Sequence, residues 1–220
     1  MFVIIINLKS IRLHYIMRVP HPNQFTQNVP IYVFDLDDVL MPTEALFNQP
    51  RVKGILSTFC ANTTLLQISA AYQQFMSYNQ ALVNHLSAYP VPHYLLTNGS
   101  HAHAMASTNA LGILPYFSSI VHSQSGAGMK PDEGPYRLME NMIRNQYIQQ
   151  DPSFHYRRLP PIVFFDDRVE NHVQPKKRGW TTVWIIPNAH NQTKPEHVDF
   201  MFSNVYQALY FFKTLSDRTR

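Results

Sequence analysis

The chain has 220 residues, and the 45% that are hydrophobic supply enough apolar surface for a sizeable core and exclude wholesale disorder. Its 18 basic and 14 acidic residues leave a formal net charge of +4 without a basic block, so we expect a small anionic partner and no nucleic-acid polymer. A single cysteine, Cys60, excludes an internal disulfide framework and a cysteine-based zinc site, and no apolar run is long enough to cross a membrane. We therefore expect a cytoplasmic protein with no membrane partner, and we interpret residues 1–28 as an N-terminal extension.

Short apolar runs bounded by polar residues predict the buried strands of a parallel sheet. In chain order, these runs cover residues 31–34, 93–96, 119–122, 162–165 and 181–185. Helical patterns follow them over residues 100–111, 136–147, a segment that ends near residue 178, and residues 205–215. The alternation of strands and helices predicts an α/β fold in which a Rossmann-like parallel sheet is flanked by helices.

Residues 42–86, between the first two predicted strands, have helical spacing and no strand signal. The apolar residues that carry this spacing are Leu46, Val52, Ile55, Leu56, Leu65, Ile68, Tyr72 and Phe75. Because the segment is long for a single crossover connection, we interpret it as a small helical cap inserted after the first strand. The core of the fold then consists of residues 29–41 and 87–220.

Acidic residues follow two predicted strands at the edge where open α/β sheets bind ligands. Asp35 and Asp37 come directly after the first strand, Asp166 and Asp167 follow the fourth, and Asn171 lies about one helical turn further on. Carboxylates from two strand ends suit Mg²⁺, a hard cation that prefers oxygen ligands. An Asp-rich turn and a helix N-terminus stabilised by acids are the structural alternatives. The Asp-rich turn explains the first pair about as well as a functional site does, whereas acids at a helix N-terminus explain one aspartate well and four in two places poorly.

Two further signals indicate an anion. Thr97 and Asn98 follow the second strand and precede a helix, where a hydroxyl and backbone N–H groups form an anion site. Lys130, followed by Pro131, can neutralise a phosphate. The structural alternatives are simple capping of the helix by Ser100 and an ordinary surface lysine.

In this order, the four signals resemble the motifs of the haloacid dehalogenase-like (HAD) superfamily. The matching segments are residues 33–37 (VFDLD), 95–99 (LLTNG), 130–131 (KP) and 164–171 (FFDDRVEN). The likeness covers about residues 30–187. Each motif is weak alone, whereas the ordered set on the predicted elements is specific.

Further segments are similar to the pyrimidine 5′-nucleotidase-like branch of HAD hydrolases. They are residues 40–42 (LMP), 46–47 (LF), 97–100 (TNGS), 165–171 (FDDRVEN) and 179–183 (GWTTV). The chain departs from the pattern at Val39, where threonine is frequent, and in an insertion that is short for the usual helical cap. The short insertion leaves the choice of substrate open.

The resemblance implies a role for each aspartate of the first motif. Asp35 takes the position of the nucleophile, which forms an aspartyl-phosphate, and Asp37 takes that of the general acid and base. The implied cofactor is Mg²⁺, held by the Asp35 side chain, the Asp37 backbone carbonyl and Asp167. Asp166 and Asn171 are then expected to orient the metal and its waters.

The resemblance also implies how the substrate is bound and what it is. Thr97, the backbone N–H of Asn98 and Lys130 are expected to bind phosphoryl oxygens. The implied function is a Mg²⁺-dependent phosphatase for a small phosphorylated metabolite, with a nucleoside 5′-monophosphate as the best guess. The alternatives are a sugar-phosphate phosphatase or mutase, a haloacid dehalogenase, and a non-catalytic binding or regulatory protein on the same scaffold. Asp37 counts against the dehalogenase, because that branch lacks the second aspartate.

The remaining polar residues receive structural interpretations. His101 and His103 are two positions apart and face different sides of a helix, so we expect neither to bind a metal. For Arg51 and Arg168, a solvated surface role is favoured over contact with the substrate.

Overall fold

The computed structural model describes residues 29–58, 64, 67, 70–72, 74, 76–89 and 91–218. Its centre is a six-stranded sheet in which all neighbouring strands are parallel. The strands are β1 (Ile31–Phe34), β2 (His93–Leu96), β3 (Phe117–Val121), β4 (Ile162–Asp166), β5 (Thr181–Ile185) and β6 (Phe200–Phe202). Their order in the sheet is β3-β2-β1-β4-β5-β6, which places β1 and β4 at its centre. The predicted α/β fold with a Rossmann-like parallel sheet is confirmed.

Helices cover both faces of this sheet. They are α1 (Thr43–Phe47), α2 (Pro50–Leu56), α3 (Gln80–Ala88), α4 (His101–Ala110), α5 (Glu133–Gln150), α6 (Val173–Lys177) and α7 (Val205–Arg218). Short 3-10 turns occur at Leu114–Tyr116, Pro152–Tyr156, Val169–His172 and Ala189–Asn191. Within the described part of the chain, no helix has the length and apolarity needed to cross a membrane.

The central strands are buried on both faces because their alternate side chains enter two separate apolar layers. Tyr32 and Phe34 of β1 enter the layer that contains α3, α4 and α7, together with Phe165 of β4. The rings of Phe34 and Phe165 stack with their centroids 4.6 Å apart. Val33 and Phe164 enter the opposite layer, which is covered by α5. This double burial explains why β1 and β4 are continuous apolar runs in the sequence.

Several predicted boundaries differ from the structure. The predicted strand over residues 119–122 is β3, which begins at Phe117. The helix predicted over residues 136–147 begins earlier, at Glu133, because Pro135 is tolerated in the first helical turn, where no N–H donor is needed. The segment ending near residue 178 is a 3-10 turn followed by the short α6. Strand β6 was missed, since its three half-buried residues at the sheet edge carry no periodic signal.

In the predicted insertion over residues 42–86, the described helical stretches are short. Helix α1 follows Pro42, and α3 starts at Gln80 and continues to Ala88, past the predicted end of the segment. Residues 76–79 between them are not helical. The predicted apolar positions Leu65, Ile68 and Phe75, the single cysteine Cys60 and the extension over residues 1–28 lie outside the described residues. The division into core and cap stays a prediction.

Candidate active site

An open cleft of about 560 Å³ lies at the carboxyl-terminal edge of the sheet. Its walls come from the loops after β1, β2 and β4, from α1 and from the first turn of α4. The residues that line it are Asp35, Asp37, Asp38, Thr43, Phe47, Asn98, Gly99, His103, Asp167, Arg168 and Asn171. Five of the predicted site residues therefore line one cleft, and three others, Thr97, Lys130 and Asp166, are buried in the structure.

The turn after β1 places both aspartates of the first motif at this cleft. The backbone N–H groups of Leu40 and Met41 donate to the carbonyl oxygen of Leu36, each at 3.0 Å, which folds the chain back on itself. Asp35 lies at the base of the cleft and is buried, whereas Asp37 is half-buried. The two carboxylates are thus close in sequence but differ in their exposure to solvent.

The buried part of the site is an ion network around Lys130. Nζ of Lys130 lies 2.9 Å from Oδ1 of Asp35 and 2.6 Å from Oδ2 of Asp166. All three residues are nearly inaccessible, with exposures of 5%, 6% and 0% respectively. Burial alone would lower the pKa of Lys130, but the neighbouring Asp166 and Asp35 raise it above its usual value. Lys130 therefore stays charged and offsets part of the negative charge of the two carboxylates.

Asn98 positions Lys130 through its side chain. Its Oδ1 accepts from the backbone N–H of Lys130 at 2.8 Å, and its Nδ2 donates to the backbone carbonyl of Lys130 at 2.9 Å. The motif resemblance implied a role only for the backbone N–H of Asn98, and this side-chain role was missed. Next to it, Oγ1 of Thr97 accepts from the N–H of Gly99 at 2.9 Å, which holds the loop after β2 in a tight turn.

The two aspartates after β4 differ in how their carboxylates are satisfied. Oδ1 of Asp166 accepts from the N–H of Arg168 at 2.8 Å and from Nδ2 of Asn171 at 2.9 Å, while its Oδ2 accepts from Lys130. Asp167 turns toward the cleft, and its backbone carbonyl accepts from Nε1 of Trp184 at 2.7 Å. Because the Asp166 carboxylate is already hydrogen-bonded, Asp167 is the better candidate for a direct metal ligand.

The donor set at the base of the cleft fits a divalent cation. One carboxylate oxygen each from Asp35, Asp166 and Asp167 lies within 4.8 Å of the other two. Burial, followed by the charge of Asp166, raises the pKa of Asp167 to about 7, and burial is also the largest cause that raises the pKa of Asp35, to about 8. When ionised, these three clustered carboxylates carry more negative charge than Lys130 alone neutralises. Hard oxygen donors with unbalanced negative charge suit Mg²⁺.

Asp37 has a separate set of partners. Its Oδ1 accepts from the Thr43 hydroxyl at 2.7 Å and lies 2.8 Å from Nε2 of His103. The other ring nitrogen of His103, Nδ1, lies 2.7 Å from the hydroxyl of Tyr72. Burial would raise the pKa of Asp37, but the hydrogen bond and charge of His103 and the Thr43 hydroxyl outweigh it, so this pKa is lowered.

His103 is the site residue that sequence reasoning missed. The expectation that His101 and His103 face different sides of α4 agrees with the structure: the His101 ring lies near that of His122, with centroids 4.9 Å apart, while His103 faces the cleft. Ser100 caps α4 by accepting from the N–H of His103 at 3.2 Å. His103 therefore lies in the first turn of α4, the helix that follows β2 and the second motif. This position is the sequence signal that could have identified His103 as a site residue.

The two arginines occupy the surface. Arg51 is exposed. Arg168 lies at the rim of the cleft with 64% of its side chain exposed, and its guanidinium pairs with Glu170 at 2.8 Å. Arg168 is therefore both solvated and within reach of a ligand that enters the cleft.

The fold resembles several solved structures, although neither the protein-family models nor the curated protein sequences match this chain. A HAD phosphatase from Thermococcus onnurineus has a TM-score of 0.54 at 12% identity, over 83% of this chain and 97% of that chain. YfnB from Bacillus subtilis, solved with bound magnesium, has a TM-score of 0.53 at 13% identity, over 84% of this chain and 98% of that chain. An L-2-haloacid dehalogenase from Xanthobacter autotrophicus has a TM-score of 0.51 at 12% identity, over 83% of this chain and 98% of that chain.

These similarities show that the chain has the fold of HAD-superfamily hydrolases. They do not single out the pyrimidine 5′-nucleotidase-like branch that the sequence motifs resemble. Because a phosphatase and a dehalogenase are both among the similar structures, the fold alone leaves the reaction open. The reaction has to be argued from the residues of the cleft.

Proposed function

We propose that this protein is a Mg²⁺-dependent phosphatase that hydrolyses a small phosphomonoester through an aspartyl-phosphate. The observation that carries the proposal is the pair of carboxylates after β1, which lie in one cleft but in different environments. Asp35 is buried beside Lys130, and Asp37 is half-buried beside His103. The motif resemblance assigns the nucleophile to Asp35 and the proton carrier to Asp37, and the half-exposed Asp37 is the one that can exchange a proton with substrate and water.

In the first step, Oδ2 of Asp35 attacks phosphorus. Both hydrogen-bond donors to Asp35, the N–H of Leu36 at 2.8 Å and Nζ of Lys130 at 2.9 Å, contact Oδ1. A new O–P bond forms as the ester O–P bond breaks, and the leaving oxygen takes a proton from Asp37. In the second step, water gives a proton to Asp37 and attacks the same phosphorus, which releases inorganic phosphate and restores Asp35.

The phosphoryl oxygens are bound by the loop after β2 and by Lys130. Lys130 has three N–H donors, of which two point to Asp35 and Asp166, so the third can reach a phosphoryl oxygen. The Thr97 hydroxyl and the Asn98 backbone N–H supply further donors. Asp35, the Asp37 carbonyl and Asp167 would hold Mg²⁺, which would supply positive charge to neutralise the phosphoryl oxygens.

For the substrate, we propose a nucleoside 5′-monophosphate, and we keep the cytoplasm as the expected compartment. The motif resemblance supports the nucleotide, and Phe47 adds an aromatic ring to the wall of the cleft, where a base can stack. A sugar-phosphate phosphatase or mutase shares the same first step and is the second candidate. The presence of Asp37 favours a phosphatase over a dehalogenase, because displacement of a halide needs no proton donor.

The test is a phosphatase screen of the purified full chain over nucleotides, sugar phosphates and an aryl phosphate, with Mg²⁺ and with chelator. We expect Mg²⁺-dependent release of phosphate and the highest kcat/KM for a nucleotide. A higher kcat/KM for a sugar phosphate would replace the substrate but keep the reaction. If no phosphate ester is hydrolysed at a rate above that of Asp35→Asn, the proposed function is wrong.

A further inference from the structure

A hydrogen-bonded chain leads from the predicted insertion to the proposed acid and base. The hydroxyl of Tyr72 lies 2.7 Å from Nδ1 of His103, and Nε2 of His103 lies 2.8 Å from Oδ1 of Asp37. An ionised carboxylate only accepts hydrogen bonds, so Nε2–H of His103 donates to Asp37. In a neutral imidazole Nδ1 then accepts from the Tyr72 hydroxyl, and in an imidazolium Nδ1–H donates to the oxygen of that hydroxyl. In both forms Tyr72 binds Nδ1 and Nε2–H points to Asp37.

The imidazole ring of His103 is held by its neighbours as well as by these bonds. Its side chain is only 16% exposed. The rings of Tyr72 and Phe47 meet it edge to face, with centroids 5.7 Å and 6.1 Å away. On another side it lies so close to the backbone that a Cβ at Gly99 would be 2.6 Å from Cδ2 of His103. Glycine at position 99 is therefore what allows the ring to approach, and the ring has little freedom to turn.

Both donors to Asp37 contact the same oxygen. The Thr43 hydroxyl at 2.7 Å and Nε2 of His103 at 2.8 Å both bind Oδ1. Among the described residues, no hydrogen bond to Oδ2 of Asp37 is found, and Asp37 lines the cleft. Two donors on one oxygen hold Oδ1 in place and so restrict the rotation of the carboxylate. They leave Oδ2 as the atom that faces the substrate.

We propose that His103 is a positioning residue for Asp37: held by Tyr72, it fixes the carboxylate so that Oδ2 carries the proton to and from the substrate. This inference rests on the proposed phosphatase function, in which Asp37 protonates the leaving group. It adds a residue of α4 and a residue of the predicted insertion to the machinery of the reaction. His103 itself contacts Asp37 and does not transfer the proton to the substrate.

The consequence is a dependence on the leaving group. An alkyl leaving group, such as the 5′-oxygen of a nucleotide, needs the proton of Asp37 as its bond breaks, whereas a nitrophenolate leaves without one. The kcat/KM value reports on steps up to formation of the aspartyl-phosphate. Loss of Asp37 orientation should therefore lower kcat/KM for an alkyl phosphate more than for para-nitrophenyl phosphate. A general loss of folded protein would lower both by the same factor.

The experiment measures both kcat/KM values, with Mg²⁺, for the wild type and four variants of the full chain. His103→Ala should lower the alkyl-to-aryl ratio about tenfold, a fraction of what general acid catalysis contributes. His103→Gln, whose amide can still donate to Asp37, should recover part of the ratio, and Tyr72→Phe should lower it less than His103→Ala. His101→Ala is the matched control, because this exposed histidine of the same helix faces away from Asp37, and its ratio should equal that of the wild type.

The outcomes separate this inference from the proposed function. An active wild type whose ratio is unchanged in His103→Ala and Tyr72→Phe would overturn the positioning role alone. A wild type that hydrolyses no phosphate ester would overturn the proposed function, and the inference with it. If His103→Ala does not fold, as judged by its thermal transition, the Tyr72→Phe and His103→Gln ratios decide, and wild-type ratios in both would reject the inference.

Discussion

The two sides of the cleft bind their aspartates in different ways. On the Lys130 side, Asp35, Lys130 and Asp166 are buried and joined by ion pairs. On the His103 side, Asp37 is about 30% exposed and is joined to Thr43 and His103 by hydrogen bonds. The Lys130 side is built from loops of the parallel sheet, whereas the His103 side also draws on the segment between β1 and β2.

Because of this difference, the two sides of the cleft have different physical roles. Charges that are buried together interact strongly, and removing one of them leaves the others without compensation. Hydrogen bonds at a half-exposed site contribute less, because water can replace a lost partner. The Lys130 side therefore suits a fixed nucleophile and metal site, and the His103 side suits a group that exchanges protons with substrate and solvent.

The largest expected effect separates Asp35 from Asp37. Asp35→Asn cannot form an acyl phosphate, so it should have no activity and no covalent phosphate. Asp37→Ala should be nearly inactive, because water is no longer activated for the second step. With an activated aryl phosphate it should still accumulate covalent phosphate, because attack by Asp35 on such a substrate needs little general acid catalysis. Intact-protein mass spectrometry after a rapid acid quench measures the adduct. An adduct on Asp35→Asn, or wild-type label mapped to Asp37, would reverse the two roles.

The next effect concerns Lys130 and the stability of the fold. Lys130→Met leaves two buried carboxylates without their cation, so we expect the free energy of unfolding to fall by about 3–5 kcal/mol, together with loss of activity. Lys176→Met is the matched control, since Lys176 pairs with Asp199 at the surface, where such a pair contributes about 0–1 kcal/mol. Urea denaturation without metal measures both variants. Equal losses would contradict the contrast between buried and exposed ion pairs.

A smaller and graded effect is expected for Mg²⁺ affinity. Asp166→Asn should weaken Mg²⁺ binding about tenfold, because Asp166 acts on the metal site through its hydrogen bonds. Asp167→Asn should weaken Mg²⁺ binding more, because the carboxylate of Asp167 lies at the cleft. Titration calorimetry measures the affinities independently of activity. The reverse order would make Asp166 the direct ligand, and full activity of the wild type in chelator would remove Mg²⁺ from the proposal.

The smallest expected effect is a pH dependence of stability in the absence of metal. The pKa values of Asp167 and Asp35 are raised in the folded chain to about 7 and about 8, so between pH 4 and 8 the folded state binds more protons than the unfolded state. Their contribution is therefore present at low pH and lost as pH rises through 7 and 8. We expect Mg²⁺ to raise the thermal transition more at pH 8 than at pH 5.5. Asp167→Asn should reduce that difference, and an equal Mg²⁺ shift at both pH values would contradict it.

The approach of Asp35 and Asp166 was predictable because both follow apolar strands, whereas Lys130 was expected beside them only from the motif resemblance. In a parallel sheet, carboxyl ends meet at one edge, so residues far apart in sequence such as Asp35 and Asp166 have to approach each other. The same argument placed Thr97 and Asn98 at this edge. It did not provide the Asn98 side-chain bonds to Lys130, because these depend on how the loop before α5 returns to the site.

The sequence by itself determined the parallel α/β sheet and the acids at its edge, because two-sided burial of the strands and the polar residues at their ends are local patterns. Only the tertiary structure decided that Asp37 is bound by Thr43 and His103, and that Tyr72 holds His103. Those contacts depend on which face of α4 turns toward the cleft and on where the segment after β1 folds back. Neither has a local signature, because short helices are placed by packing more than by the propensity of their own residues.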